Sequence, residues 1–148
     1  MRHLGRSAQL AWTEEVLCEF LLTKQPPHED LPREIREILG QIHQNLFDAQ
    51  LNVRFLKSRC RIRDNNISCR FRCLVGMTIK QYVEALRMEA ASQLLREMKI
   101  GIFDVSLAVG YYHLQTFYRV FERCHGCTPA KFRSRLHAPF HIAHGEAG

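Results

Sequence analysis

The clearest pattern in this chain is Thr78-Ile-Lys-Gln-Tyr-Val-Glu-Ala-Leu-Arg-Met-Glu-Ala-Ala-Ser-Gln-Leu-Leu-Arg-Glu-Met98. Thr78 and Gln81 have the spacing of a capping box, in which each side chain binds the backbone N–H of the other residue. Apolar residues then recur at steps of three and four, which is typical of one buried helix face. They are Ile79, Val83, Leu86, Ala90, Leu94 and Met98. The stretch predicts the longest helix of the chain.

Two similar units flank this helix, at residues 52–75 and 102–124. Each consists of a short helical pattern, a turn and a longer helical pattern, and each has a Phe five residues before a Gly: Phe71 before Gly76, and Phe121 before Gly126. This is an internal repeat with a period of fifty residues. A helix-turn-helix unit needs this arrangement, because its first helix braces a second helix that enters a major groove.

The sequence before the first unit predicts two more helices. One spans residues 7–22 and is stopped by Pro26-Pro27. The other begins at Asp30 as N-cap, has Pro32 in its first turn and ends near Phe47. The apolar stripe of the first of these helices either mediates dimerisation or docks on its own domain.

The remaining boundaries follow from turn residues. Asp64 or Asn65 is expected to cap the longer helix of the first unit, and Thr128-Pro129 begins a last turn that runs to Phe132. No strand-type alternation of useful length occurs. We therefore predict an all-α fold of about seven helices, with two homeodomain-like helix-turn-helix units on a linking helix.

We expect the chain to divide into three parts. They are an N-terminal helical segment and linker (1–29), a DNA-binding domain (30–135) and a flexible tail (136–148). The tail has His137, His141 and His144 at steps that resemble a metal tract, but its glycines favour disorder. No metal and no cofactor are expected.

Composition limits the class of protein. The chain has 148 residues, of which 46% are hydrophobic and 24% charged, so it can bury a core but has no room for a second full-size domain.

It shows neither a long apolar span nor a secretion signal, so we expect a cytoplasmic protein without a membrane partner. No phosphate loop, no nucleophile elbow and no paired carboxylates on a shared helical face in a predicted cleft occur, so we expect no enzyme.

Positive charge is concentrated in the first unit. Between Asn52 and Arg72 lie seven basic residues and one acid, Asp64, and this net charge of +6 equals that of the whole chain. Phosphate contact explains such a one-sided cluster better than solubility does. The alternatives are a solvated surface, or an interaction module that binds an acidic protein.

Six cysteines are present, and without a secretion signal reduced thiols are expected. Cys69 with Cys73, and Cys124 with Cys127, have spacings that would allow a thiol or metal sensor. The simpler interpretation is that Cys69, Cys73 and Cys124 are small apolar fillers on helices.

Several ordered motifs together resemble the AraC/XylS family of transcription regulators, over about residues 31–135. They are Arg87-Met-Glu-Ala-Ala91-Ser-Gln-Leu94-Leu95, Ile102-Phe-Asp-Val105, Val109-Gly110-Tyr111, Phe117-Tyr-Arg119-Val-Phe121, Gly126-Cys-Thr128-Pro129 and Phe132-Arg133. The resemblance implies a regulator that reads two adjacent major-groove segments of double-stranded DNA as a monomer or weak dimer, with RNA polymerase as a further partner. The chain is then a small complete regulator or the C-terminal part of a larger one.

The resemblance also assigns DNA-binding positions. In the first unit the recognition-helix positions fall on Asn65, Ser68, Cys69 and Arg72; in the second they fall on Leu114, Gln115, Tyr118 and Arg119. We add the flanking residues Arg59, Arg61, Arg63, Asn66 and His113.

The chemistry of these side chains differs. Gln115 can pair with adenine N6 and N7, and Arg119 can read guanine or hold a phosphate. Tyr118 is a backbone contact, a half-buried ring or a base reader. His113 can cap its helix.

The first unit departs from the family pattern. Lys57 replaces a small residue, Arg61 a turn glycine, Arg63 a capping serine and Arg70 an apolar core residue. The second unit departs less, with Ser106 where Ala is usual and Glu122 where a base is common. We therefore expect the first unit to hold phosphates more than it reads bases, and the second unit to provide sequence discrimination.

Overall fold

The computed structural model describes residues 6–24, 30–97 and 100–137. All regular structure within these ranges is helical, which confirms the all-α prediction. The described ranges contain eight helices, where about seven were expected. They are α1 (Arg6–Thr23), α2 (Arg33–Gln44), α3 (Val53–Arg59), α4 (Ile67–Val75), α5 (Ile79–Leu95), α6 (Ile102–Ala108), α7 (Leu114–His125) and α8 (Pro129–Leu136).

The linking helix α5 begins as the sequence predicts. The backbone N–H of Gln81 donates to Thr78 Oγ1 at 3.1 Å, and the backbone N–H of Thr78 donates to Gln81 Oε1 at 3.0 Å. The helix ends at Leu95, and Met98 of the predicted stripe lies outside the described residues. α5 is the central element because α1, α4, α6, α7 and α8 all pack on it.

The two helix-turn-helix units are α3–α4 and α6–α7, and both are built as the repeat predicted. Phe71 of α4 and Phe121 of α7 are fully buried at equivalent places. Both recognition helices end at a left-handed glycine, Gly76 with φ 92° and Gly126 with φ 75°. This conformation is open to glycine because it has no Cβ.

A buried arginine on α5 joins the second unit to the segment that follows α2. Arg87 Nε donates to the carbonyl oxygen of Leu46 at 2.7 Å, and its terminal nitrogens donate to the carbonyls of Asp48 at 2.6 Å and Gly110 at 3.4 Å. The guanidinium lies 5.2 Å from the ring centre of Tyr111. Burial lowers the pKa of Arg87, and these acceptors offset the loss of water around its charge.

Helix α1 docks on its own domain. The Phe20 side chain is buried and its ring centre lies 6.2 Å from that of Phe47. Lys24 Nζ lies 2.6 Å from Glu89 Oε1 of α5. Of the two uses proposed for its apolar stripe, the structure therefore supports docking. The predicted stop at Pro26-Pro27 lies outside the described residues.

Two predicted boundaries of α2 are wrong. The N-cap is Pro32 rather than Asp30, because the chain bends through residues 30–31 and the helix begins only at Arg33. The helix ends at Gln44 instead of Phe47, because the Asn45 side chain donates to the carbonyl oxygen of Gln41 at 2.9 Å and closes the last turn.

The start of α4 also differs from the prediction. Its N-cap is Asn66, whereas Asp64 or Asn65 was expected. Asp64 Oδ1 accepts the backbone N–H of Asn66 at 2.8 Å and so stabilises a turn that precedes the helix. Because α4 begins only after this turn, it has nine residues, whereas α7 has twelve.

Helix α8 is longer than predicted, since it continues past Phe132 to Leu136. Its Arg133 side chain donates to the carbonyl oxygens of Leu95 and Glu97, both at 3.2 Å, and thereby satisfies acceptors at the end of α5. Leu136 falls one residue inside the predicted tail, and residues 138–148, with His141 and His144, lie outside the described residues.

Replacing Gly110 by Ala tests the contact between Arg87 and the second turn. A Cβ at Gly110 would lie 2.9 Å from Arg87 Cζ and 3.0 Å from the carbonyl oxygen of Phe47. Gly76→Ala is the matched control, because Gly76 has a similar positive φ and open space at its Cβ position. We expect Gly76→Ala to lower the free energy of unfolding by about 1–2 kcal/mol and Gly110→Ala by about 2–4 kcal/mol, measured by chemical denaturation. Equal losses would contradict the role given to Arg87.

Candidate nucleic-acid interface

The second unit presents polar side chains on one surface of α7. Gln115 and Arg119 are exposed and one turn apart, and Tyr118 is half-buried beside them with its ring centre 6.3 Å from that of Phe117. Leu114 is also half-buried against the core. His113 is the N-cap residue as predicted, but its side chain makes no cap hydrogen bond.

The opposite face of α7 is anchored in the core. Phe117, Val120 and Phe121 are buried there. His125 Nε2 lies 3.2 Å from the carbonyl oxygen of Met88. These contacts hold α7 on α5, so its exposed surface has a defined direction.

An ion pair that the sequence does not predict strengthens this anchorage. The Glu84 carboxylate of α5 is nearly buried and pairs with the Arg123 guanidinium of α7. Lys80 Nζ lies 4.0 Å from Glu84 Oε1. Glu84 and Arg123 are 39 residues apart, so no local pattern pairs them. The sequence gives one indication of a buried acid, because Glu84 directly follows Val83 at the edge of the predicted apolar stripe.

The first unit presents a shorter surface. Ser68, Cys69 and Arg72 of α4 are exposed, as the predicted recognition positions require. Asn65 is not on the recognition helix as predicted, because α4 begins two residues later. It lies in the preceding turn, where Lys57 Nζ donates to its Oδ1 at 3.4 Å. Asn66 is the exposed N-cap residue.

Most of the cationic cluster lacks acidic partners. Six of its seven basic side chains form no ion pair with any residue in the described ranges: Arg54, Lys57, Arg59, Arg61, Arg63 and Arg72. The Arg59 guanidinium lies 5.1 Å from the ring centre of Phe55, which directs this side chain along α3. The cluster can therefore hold anions without first breaking an internal pair.

Arg70 is the exception within the cluster. Its Nη1 lies 2.7 Å from Glu34 Oε2 of α2 and 3.1 Å from Asp64 Oδ2. A backbone hydrogen bond from Asn66, followed by the one from Arg70, lowers the pKa of Asp64. Arg70 thus replaces an apolar contact by a half-exposed ion-pair bridge, and its charge is balanced within the protein.

Arg61 has an unusual backbone conformation. Its φ is 55°, in the left-handed region, whereas the turn of the second unit uses Gly110 with φ 98°. A side chain in this region costs about 1–2 kcal/mol. Such strain is common where a side chain serves a function.

The thiols are not the apolar fillers that the sequence suggested. Cys69, Cys73 and Cys124 are exposed and Cys127 is buried. Burial raises the pKa of the Cys60 and Cys124 thiols. Within the described ranges no three Cys, His, Asp or Glu side chains are grouped so that they could hold a metal, so the two cysteine pairs do not form a joint metal site.

Comparison with known proteins agrees with this architecture. A family described as "Helix-turn-helix domain" matches residues 56–135. Regulatory protein SoxS of Salmonella typhimurium is 32% identical over 102 residues, which are 69% of this chain and 94% of SoxS. The arabinose operon regulatory protein of Escherichia coli is 26% identical over 72% of this chain and 37% of its own length.

Solved structures share the fold. The C-terminal domain of AraT, a response regulator from Geobacillus stearothermophilus, has a TM-score of 0.69 at 19% identity and covers 79% of this chain and 99% of its own. The DNA-binding domain of AdpA, a global transcriptional factor solved in complex with a target DNA, has a TM-score of 0.63 at 23% identity. It covers 70% of this chain and 93% of its own.

The chain therefore belongs to the AraC/XylS family of helix-turn-helix, DNA-binding transcription regulators. The members of this family are DNA-binding regulators. None of the helices in the described ranges has the length and apolarity needed to cross a bilayer.

Arg61 allows strain and charge to be tested separately. Arg61→Gly should raise the free energy of unfolding by about 0.5–1 kcal/mol, because glycine adopts this φ without strain. It should also reduce the slope of log affinity for duplex DNA against log salt by about 0.9, the loss of one phosphate contact. Arg61→Ala, the control, should reduce the slope equally without the gain in stability. An unchanged slope in both variants would show that Arg61 is not on DNA.

Proposed function

We propose that this regulator reads two adjacent major-groove segments of one DNA site, with α7 as the base-reading helix and α4 with its arginines as a phosphate-holding unit. The observation that carries the proposal is the placement of two helix-turn-helix units on one helix, α5. Because α4 and α7 both pack on α5, one protein molecule can present both to the same duplex.

The exposed surface of α7 supports the base-reading role. Gln115 can pair with both major-groove groups of adenine, and Arg119 with guanine or with a phosphate. A helix that contacts base edges needs a fixed orientation, because a hydrogen bond to a base requires an aligned donor and acceptor. The Glu84–Arg123 pair and the buried ring of Phe121 provide that support.

The first unit supports a different role. Its recognition helix is one turn shorter, and six cations of this unit form no ion pair with any residue in the described ranges. Phosphate contacts position a protein on DNA and carry little sequence information. We therefore assign Arg59, Arg61 and Arg63 to the DNA backbone, with Asn65, Asn66, Ser68 and Arg72 as secondary contacts.

The proposed DNA-binding role also implies an oligomeric state, a second partner and a location. Both units lie on one chain, so binding requires no second copy, and we propose a monomer or a weak dimer. Regulation of transcription initiation makes RNA polymerase the proposed second partner, and the cytoplasm the proposed location. An acidic protein as the ligand of the cationic cluster is the competing function.

Footprinting on a site selected from a random duplex pool tests the proposal. We expect one protein molecule to protect two major-groove segments about 10 base pairs apart. Protection of one segment would mean that the first unit makes no groove contact. Failure to retain any duplex at low salt would favour the acidic protein partner.

Substitution of single reading residues tests the division between the two units. Gln115→Ala should weaken binding to the preferred site by about 1–3 kcal/mol and leave binding to random duplex nearly unchanged. Ser68→Ala is the matched control on α4, since it also removes one exposed polar side chain, and it should alter base preference less. A base-preference matrix measured for each variant decides. A larger change from Ser68→Ala would reverse the roles of the two units.

A further inference from the structure

Two thiols lie one helical turn apart on the exposed side of α4. Cys69 and Cys73 are both free and both exposed, and Arg72 lies between them in the sequence. Free cysteine is among the residues most often buried, and where it is retained its reactivity matters more than its packing. The packing of α4 is provided by Ile67 and Phe71 on its other side, so these thiols contribute little to the core.

The internal repeat makes this pair more informative. Fifty residues later, at the equivalent places of α7, the second unit has Arg119, which is exposed, and Arg123, which pairs with Glu84 of α5. Arginine is the side chain best suited to phosphate and guanine. A thiol at the place of Arg119 therefore forgoes a favourable DNA contact, and a thiol at the place of Arg123 forgoes an ion pair, which points to another role for the two cysteines.

We propose that Cys69 and Cys73 form a dithiol site for trivalent arsenicals, and that its occupation releases the protein from DNA. The inference rests on the proposed function, because it requires α4 to lie on the duplex. It concerns regulation of that surface and needs no additional domain.

The chemistry of the pair fits this ligand class. Side chains at i and i+4 of a helix have Cβ atoms roughly 5–6 Å apart, so one soft atom can bridge two thiolates. With an organic arsenoxide, two As–S bonds form while the As=O bond breaks. The two thiol protons leave with that oxygen as one water molecule, and arsenic remains trivalent throughout.

The other cysteines do not offer the same site. Cys127 is buried, so the Cys124–Cys127 pair presents a single accessible thiol. Cys18 on α1 is exposed without a second cysteine on its helix. Single thiols form arsenic adducts that an excess of a monothiol displaces, whereas a chelating pair retains the arsenic.

The arsenic would lie beside Ser68 and Arg72, on the surface that we assign to DNA. It would lie opposite Phe71, which packs α4 onto the core and makes an edge-to-face contact with Tyr82 at 5.9 Å between ring centres. The adduct therefore blocks the DNA surface and leaves the fold intact.

The experiment uses phenylarsine oxide on the whole chain, in excess 2-mercaptoethanol. We expect the protein to gain one phenylarsenic group, located by mass spectrometry on a peptide that contains Cys69 and Cys73. Duplex affinity should fall about tenfold or more, because the groove contacts of one unit are lost. Dimercaptopropanol, a competing dithiol, should restore it. The circular dichroism spectrum should not change.

Three variants complete the test. Cys73→Ser should bind duplex but no longer respond to the reagent, and Cys69→Ser should lose the arsenic adduct whatever its own affinity for duplex, whereas the control Cys124→Ser should respond as the parent chain does. The inference is overturned if arsenic is found on other cysteines, if the adduct binds duplex undiminished, or if the two α4 variants remain sensitive. Peptide mapping decides the chelation even if a serine variant folds poorly. Untreated protein that fails to bind duplex would instead overturn the proposed function.

Discussion

The guanidinium of Arg87 is the interaction on which the arrangement of the two units depends. It donates to carbonyl oxygens of the segment after α2 and of the turn of the second unit, within a mainly apolar core. A buried cation is tolerated where acceptors surround it, and removing those acceptors leaves it costly. Because α5 carries this residue, these hydrogen bonds tie the linking helix to the turn that precedes α7.

The two helix-turn-helix units share one architecture but differ in their turns, in the length of their recognition helices and in how their charges are balanced. In the second, Gly110 relieves the turn, α7 has its full length, and Glu84 balances Arg123. In the first, an arginine occupies the strained turn position, α4 is shortened by the Asp64 turn, and Arg70 is balanced by α2. Stability and charge thus compete in the first unit, where a residue that strains the backbone adds a cation to the surface.

Local signals account for what the sequence could predict. The capping box of α5, the buried phenylalanines and the terminal glycines are each determined by residues within a few positions, so the helices and the repeat followed directly. The start of α4 did not, because Asp64 accepts from Asn66 before the helix instead of capping it. Glu34 with Arg70 and Glu84 with Arg123 are more than thirty residues apart, so only folding brings them together. The candidate base-reading positions came from the resemblance to the family. One of them, Asn65, lies in the turn before α4 and not on the helix.

The last helix has a consequence for how the domain forms during synthesis. Arg133 of α8 satisfies carbonyl groups at the end of α5, and Phe132 packs edge-on against Phe121 at 5.4 Å between ring centres. A nascent chain that has emerged only as far as α7 therefore has an open end on its central helix and an uncovered ring on its second unit. Since domains fold as units as they leave the ribosome, the second unit becomes complete only after Arg133 has emerged.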